Sequence, residues 1–215
     1  MDEEITIINE KTRNEKIKSF FLENKKALLS LITILIFLIF SFYIYQIYQD
    51  KNKEKISDKY NNTVINYNNN NDKFKTVSSM KEVIEAQNST YSPLALYFLI
   101  DNNLIENKVE VNELFDVLIE KTSLEKEIKN LIIYKKALYN ADDAKENELL
   151  DILKPLVNSE SMWKSHALYL LAEFFYFKGE KKKSAEFFNE IIIIENANQD
   201  ILKETKKRLN RDLSE

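Results

Sequence analysis

Residues 162–196 read MWKSHALYLLAEFFYFKGEKKKSAEFFNEIIIIEN. Large apolar side chains recur there at helical spacing, which predicts helices over 162–177 and 180–195 and a third over 199–213. Helices this short are marginal alone in water, so each must bury its apolar stripe on a neighbour. The stretch therefore points to an all-α fold of helix–turn–helix pairs.

Upstream the same pattern continues at lower contrast. Val83 and Ile84 mark one segment, and Pro93 suits the first turn of the next, which carries Leu94, Leu96, Tyr97, Phe98 and Ile100. Leu114, Val117, Leu118 and Lys121 form a further helix. Ile128, Leu131, Tyr134 and Leu138 form one helical face, and Leu149, Ile152, Leu153 and Leu156 another, with Pro155 helping to terminate the latter. Successive pairs lie about 34–40 residues apart, the period of a helix–turn–helix solenoid. The chain holds one Gly and two Pro in 215 residues, too few turn formers for a sandwich, a barrel or a Gly-looped nucleotide-binding sheet.

Further towards the N-terminus, residues 27–48 carry no charge and are dominated by Leu, Ile and Phe. As a helix they would span about 33 Å, the hydrocarbon thickness of a bilayer. Phe42, Tyr43, Tyr45 and Tyr48 close the run with rings that favour the headgroup level. Its length, and bulky residues where a cleavage site would need small ones, predict an uncleaved transmembrane helix. Four segments follow: a short charged tail over 1–26, the transmembrane helix over 27–48, a stalk and linker over 49–72, and a helical repeat domain over 73–215. The stalk begins as a charged helix, and Asn61, Asn62, Asn66 and Asn68 to Asn71 are expected to break the helical pattern and form a turn. Six Lys or Arg precede the span within reach of it, against four just beyond it, which places the tail in the cytoplasm and the domain outside.

The formal charge of −4 makes the domain a poor ligand for polyanions, so no nucleic-acid partner is expected. Cysteine is absent, which removes disulfides, thiolate metal sites and a cysteine nucleophile. His166 is the only histidine and has no metal-ligating or nucleophilic company in the sequence. No catalytic residue, metal, cofactor or small-molecule substrate is expected, and the chain reads as a non-enzyme. Asp142-Asp143 and Glu146/Glu148 are read as capping and solvating a turn, and Lys181-Lys182-Lys183 as a solvated helix face. Asn61-Asn62-Thr63 and Asn88-Ser89-Thr90 match the glycosylation acceptor pattern, common by chance in an Asn-rich chain.

The order of side chains within 162–196 resembles a tetratricopeptide repeat. Leu168, Leu171, Ala172 and Phe175 occupy the first-helix positions of that motif, Gly179 its turn, and Ser184 and Phe188 the small and aromatic positions of its second helix. The resemblance implies close helix approach at Ala172 and Ser184, with Phe175 and Phe188 filling the gap to the next pair. Ile191 and Asn196 depart from the preferred Ala and Pro, so 199–213 is expected to cap the array. The repeat position places His166, Tyr169, Glu173 and Tyr176 on a concave wall, either as a partner-binding strip or as packing against the preceding repeat.

The whole layout is similar to the membrane-anchored ancillary SecYEG translocon subunits of proteobacteria. The likeness rests on Lys16 to Phe21 before Lys25-Lys26-Ala27, the Thr90-Tyr91 opening, and Trp163-Lys164-Ser165-His166-Ala167. It implies a single-pass protein of the bacterial inner membrane with a periplasmic repeat domain. Its implied partners are Sec translocon subunits, periplasmic chaperones or exported chains. A scaffold for cell-envelope assembly or division is the alternative expectation.

Overall fold

The computed structural model describes residues 18–20, 22 and 24–213, so most of the expected cytoplasmic tail lies outside the described residues. Every regular element among the described residues is helical. We number them α1 (Lys25–Asn70), α2 (Lys73–Glu85), α3 (Tyr91–Asp101), α4 (Lys108–Asp116), α5 (Lys126–Asn140), α6 (Glu146–Val157), α7 (Lys164–Phe177), α8 (Lys181–Ile192) and α9 (Gln199–Asp212). A π-helical turn, Val117–Lys121, extends α4. Thr122 closes it by donating both its backbone N–H (3.1 Å) and its hydroxyl (3.2 Å) to the Val117 carbonyl.

The chain divides into two compact units between Lys55 and Ile56. In the first, α1 is long and apolar enough to cross a membrane. Leu29, Leu31, Ile34 and Phe40 among others stand exposed, with Phe37 at 74%. Side chains of that chemistry find a favourable medium only in hydrocarbon or against an apolar partner.

The second unit begins inside α1, within the expected stalk and linker. Residues 56–70 are helical and belong to the packed domain: Ile56, Tyr60 and Val64 lie against its first core cluster. The Tyr60 ring stands 5.7 Å from Tyr91 and the Tyr67 ring 5.5 Å from Phe98. The Asn-rich run does not break the helix until Asn71. Asn61, Asn62, Asn66 and Asn68 to Asn70 all face outward, while Tyr60, Thr63, Val64 and Tyr67 turn inward at helical spacing. Burial of that stripe overrides the modest helix propensity of Asn.

Asn71 itself adopts φ 49°, and Asp72 then caps α2 by accepting from the Lys75 backbone N–H. With a single Gly available, the left-handed positions among the described residues fall at Asn71, Gln87, Asn103 and Gly179. Asn tolerates that region better than most residues, which gives the chain's Asn content a local use. At Gly179, φ is 81° and the helix ends in a paired closure: Gly179 N–H donates to Tyr176 O (3.0 Å) and Glu180 N–H to Phe175 O (2.9 Å). The same two bonds recur at Asn103 (to Ile100) and Leu104 (to Leu99).

The core runs as three clusters in chain order. The first joins α2, α3 and α4 with Ile132; the second joins α5, α6 and α7; the third joins α7 and α8 with Ala197 and the inner face of α9. Ile119 packs on both of the first two, and Val157 and Phe187 on both of the last two. The α5 face differs from expectation. Asn130, Ile132, Ile133 and Ala137 are buried, whereas Ile128 and Leu138 are 41% and 45% exposed. The run Leu131-Ile132-Ile133-Tyr134 is apolar on consecutive positions, so periodicity admitted either stripe.

Candidate functional site

α7 carries all the expected partner-binding residues and, with its turn and α8, all the repeat-packing ones. Leu168, Ala172, Ser184 and Phe188 are fully buried, and Leu171 and Phe175 are 1% exposed. The Phe175 ring stacks on Phe187 at 5.4 Å, and the Tyr169 ring meets Phe188 edge-on at 5.5 Å. A side chain at Gly179 would meet nothing within 4 Å, so the turn requires its backbone conformation rather than its lack of bulk.

His166, Tyr169, Glu173 and Tyr176 do not form one open strip. His166, at the N-terminal end, lies against the preceding pair in an aromatic cluster. Its ring is 5.1 Å from Trp163 and 5.7 Å from Tyr134, and Tyr134 stacks on Trp163 at 5.7 Å. Burial lowers the His166 pKa from its ordinary 6.5.

The other three lie under α9. Glu173 accepts from both Arg208 Nε (2.6 Å) and Nη2 (2.9 Å), a bidentate pair. The Arg208 guanidinium covers the Tyr176 ring at 4.3 Å and also pairs with Asp212. Burial, with the negative charge of Glu173 beside it, pushes the Tyr169 phenol up to about 12. The Glu173 hydrogen bonds raise the Arg208 pKa above its already high value, on a side chain that is 11% exposed. These contacts to a following helix are a use for the face that the sequence did not single out.

Polar contacts of this kind recur along the unit. Ser57 Oγ donates to Tyr91 Oη (2.7 Å), Ser161 Oγ to Glu127 Oε2 (2.8 Å) and Asn198 N–H to Ser165 Oγ (3.3 Å). With Glu173–Arg208, these link residues 34, 34, 33 and 35 positions apart.

The remaining sequence readings resolve locally. Glu148 accepts from Lys145 N–H (3.0 Å) at the start of α6, the capping role expected of it. Glu146 and Glu180 both hold Lys183 (2.6 and 2.8 Å), so only Lys181 and Lys182 of that run are exposed. The first Asn-X-Thr match lies within α1 and the second in the turn between α2 and α3. Thr63 is buried within α1 and its hydroxyl donates to Lys59 O (2.7 Å), while Asn88 Oδ1 accepts from the backbone of Thr90 and Tyr91 at the start of α3. Among the described residues, no group of three or more His, Asp or Glu is placed to hold a metal ion.

A surface groove was not anticipated. It encloses about 620 Å³ between the loop before α7 and the C-terminal end of α8, lined by Glu160, Met162, Lys164, Glu190, Ile193 and Glu195 among others. The sequence signal for it is the run Ile191 to Ile194. A helix buries one side, so four consecutive isoleucines must leave some outside. Ile191 is fully buried, and Ile193 is 82% exposed. Comparison with known protein families, curated proteins and solved structures finds no match to the chain.

Proposed function

We propose that the chain is a membrane-tethered, non-enzymatic protein–protein interaction module with a tetratricopeptide-like helical domain. On this reading α1 anchors the protein in a bacterial inner membrane through residues 27–48, with the tail cytoplasmic and the domain periplasmic. It serves there as an ancillary factor at the Sec translocon, in contact with translocon subunits, chaperones or exported chains.

The observation that carries the proposal is the regular offset between equivalent elements. α3, α5, α7 and α9 start at Tyr91, Lys126, Lys164 and Gln199, about 35 residues apart. Polar contacts between residues 33 to 35 positions apart bridge the successive units. Arrays of stacked helix pairs expose extended surface for other chains, and a membrane anchor raises their effective concentration at a membrane-bound partner.

The test is crosslinking in native membranes, gentle detergent extraction and recovery of the full chain. Translocon subunits or periplasmic chaperones are the expected companions; recovery of cell-envelope assembly proteins in their place would favour a scaffold. A reporter active only outside the cytoplasm, fused after Glu215, is expected to be active; silence would invert the topology.

A further inference from the structure

The groove between the loop before α7 and the end of α8 has an unbalanced chemistry. Glu160, Glu190 and Glu195 line it, and none of them forms an ion pair among the described residues. Lys164 is the one cation of the lining. A helix C-terminus carries partial negative charge and favours basic residues in its last turn. α8 has none there, with Glu190 in that turn and Glu195 shortly after it. The carboxylates thus add to the field of the helix end.

Within this negative rim stand two large apolar side chains, Met162 at 66% and Ile193 at 82% exposure, with Ile194 beside them. Water solvates the carboxylates well but gains nothing from the apolar surface between them. A flexible thioether next to a branched side chain adapts to varied apolar shapes.

We propose that this groove docks a basic, apolar peptide segment of a partner protein, in which a large apolar side chain sits between lysines or arginines. The apolar side chain covers Met162 and Ile193, and the flanking cations meet Glu190, Glu195 and Glu160. The inference deepens the interaction-module reading and rests on it. Phosphate-bearing partners are repelled by the same carboxylates, which sets the sign of the selectivity.

The test uses the full chain in zwitterionic phosphatidylcholine nanodiscs, with a fluorescent, benzophenone-bearing leucine–lysine peptide and its leucine–glutamate counterpart. The lysine peptide is expected to bind, more weakly as salt rises, and to crosslink at Met162 and Ile193; the glutamate peptide is expected not to bind. The double variant E190K/E195K should weaken binding by about tenfold, as loss of favourable rim charges does. Ile193→Asn keeps the charges and should abolish the crosslink at that position. All three sites are exposed, so an unchanged helical circular dichroism spectrum establishes that the variants fold. Equal binding of the two peptides, crosslinks scattered elsewhere, or unchanged affinity of E190K/E195K would overturn the assignment. A native partner recovered equally by wild type and E190K/E195K removes the groove and leaves the module reading standing. A groove that binds the lysine peptide in a chain that recovers no native partner does the reverse.

Discussion

His166 illustrates how far one residue's surroundings depart from what its neighbours in sequence imply. In sequence it stands beside Trp163 and Ala167, and Tyr134 is remote. In the fold all three rings meet, and burial disfavours the charged form of the imidazole. Its folded pKa lies below 6.5 while the unfolded chain titrates near that value, so below it the unfolded state takes up the proton first. The stabilising contribution is therefore present above about pH 6.5 and is lost as the pH falls through the folded pKa. Melting temperature in detergent should drop between neutral pH and about pH 5.5, and His166→Phe, which keeps an aromatic ring in the cluster, should flatten that drop. An identical pH response in the variant would show that the cluster does not exclude the proton. That His166 is a lone imidazole was legible in the sequence, and packing against the preceding repeat was one of its two readings; that Tyr134 is the ring it meets was not legible, because only the tertiary fold brings it there.

At the scale of elements, helices over 162–177, 180–195 and 199–213 were legible because their polar and apolar residues segregate cleanly. Their ends lie close to those of α7, α8 and α9. α5 was legible as a helix but not by its buried face, and the helix was expected to break at Asn61 rather than run to Asn70 because Asn weighs against helix when burial is ignored. α9 was expected to cap the array; beside its apolar contacts through Leu202 and Leu209 it makes a charged contact that periodicity does not reveal. Arg208 is among its most buried residues, and Glu173 and Tyr176 of α7 receive it. Arg208→Met should loosen α9, with a loss of about 1–2 kcal/mol once the partial exposure of Glu173 is allowed for. Hydrogen exchange should quicken in α9 first. Combining it with Glu173→Gln should cost less than the two single changes added together, since either one already breaks the pair. Strict additivity would mean that apolar contacts, through Leu202 and Leu209, hold the helix without help from the ion pair.

For the second unit as a whole, the composition settled the class: so few Gly and Pro leave helices joined by polar turns. It did not reveal how the core is divided, because a cluster is defined by which helices touch. The three clusters follow chain order and share only bridging side chains such as Ile119, Val157 and Phe187. Stability in such a chain of contacts is a sum of local terms and neighbour interfaces, so damage should remain near its source. Phe188 is fully buried in the last cluster, and Phe188→Ala should remove about 3–5 kcal/mol through lost burial and the cavity left behind. Hydrogen exchange in α7, α8 and α9 should then accelerate strongly, while α2 and α3, which share no cluster with Phe188, keep their protection. Acceleration of equal size in every helix would instead mean that Val157, Phe187 and Ile119 couple the clusters tightly enough to unfold residues 56–213 as one body. The gradient along the chain, more than the size of the loss, therefore distinguishes a nearest-neighbour array from a single globular core.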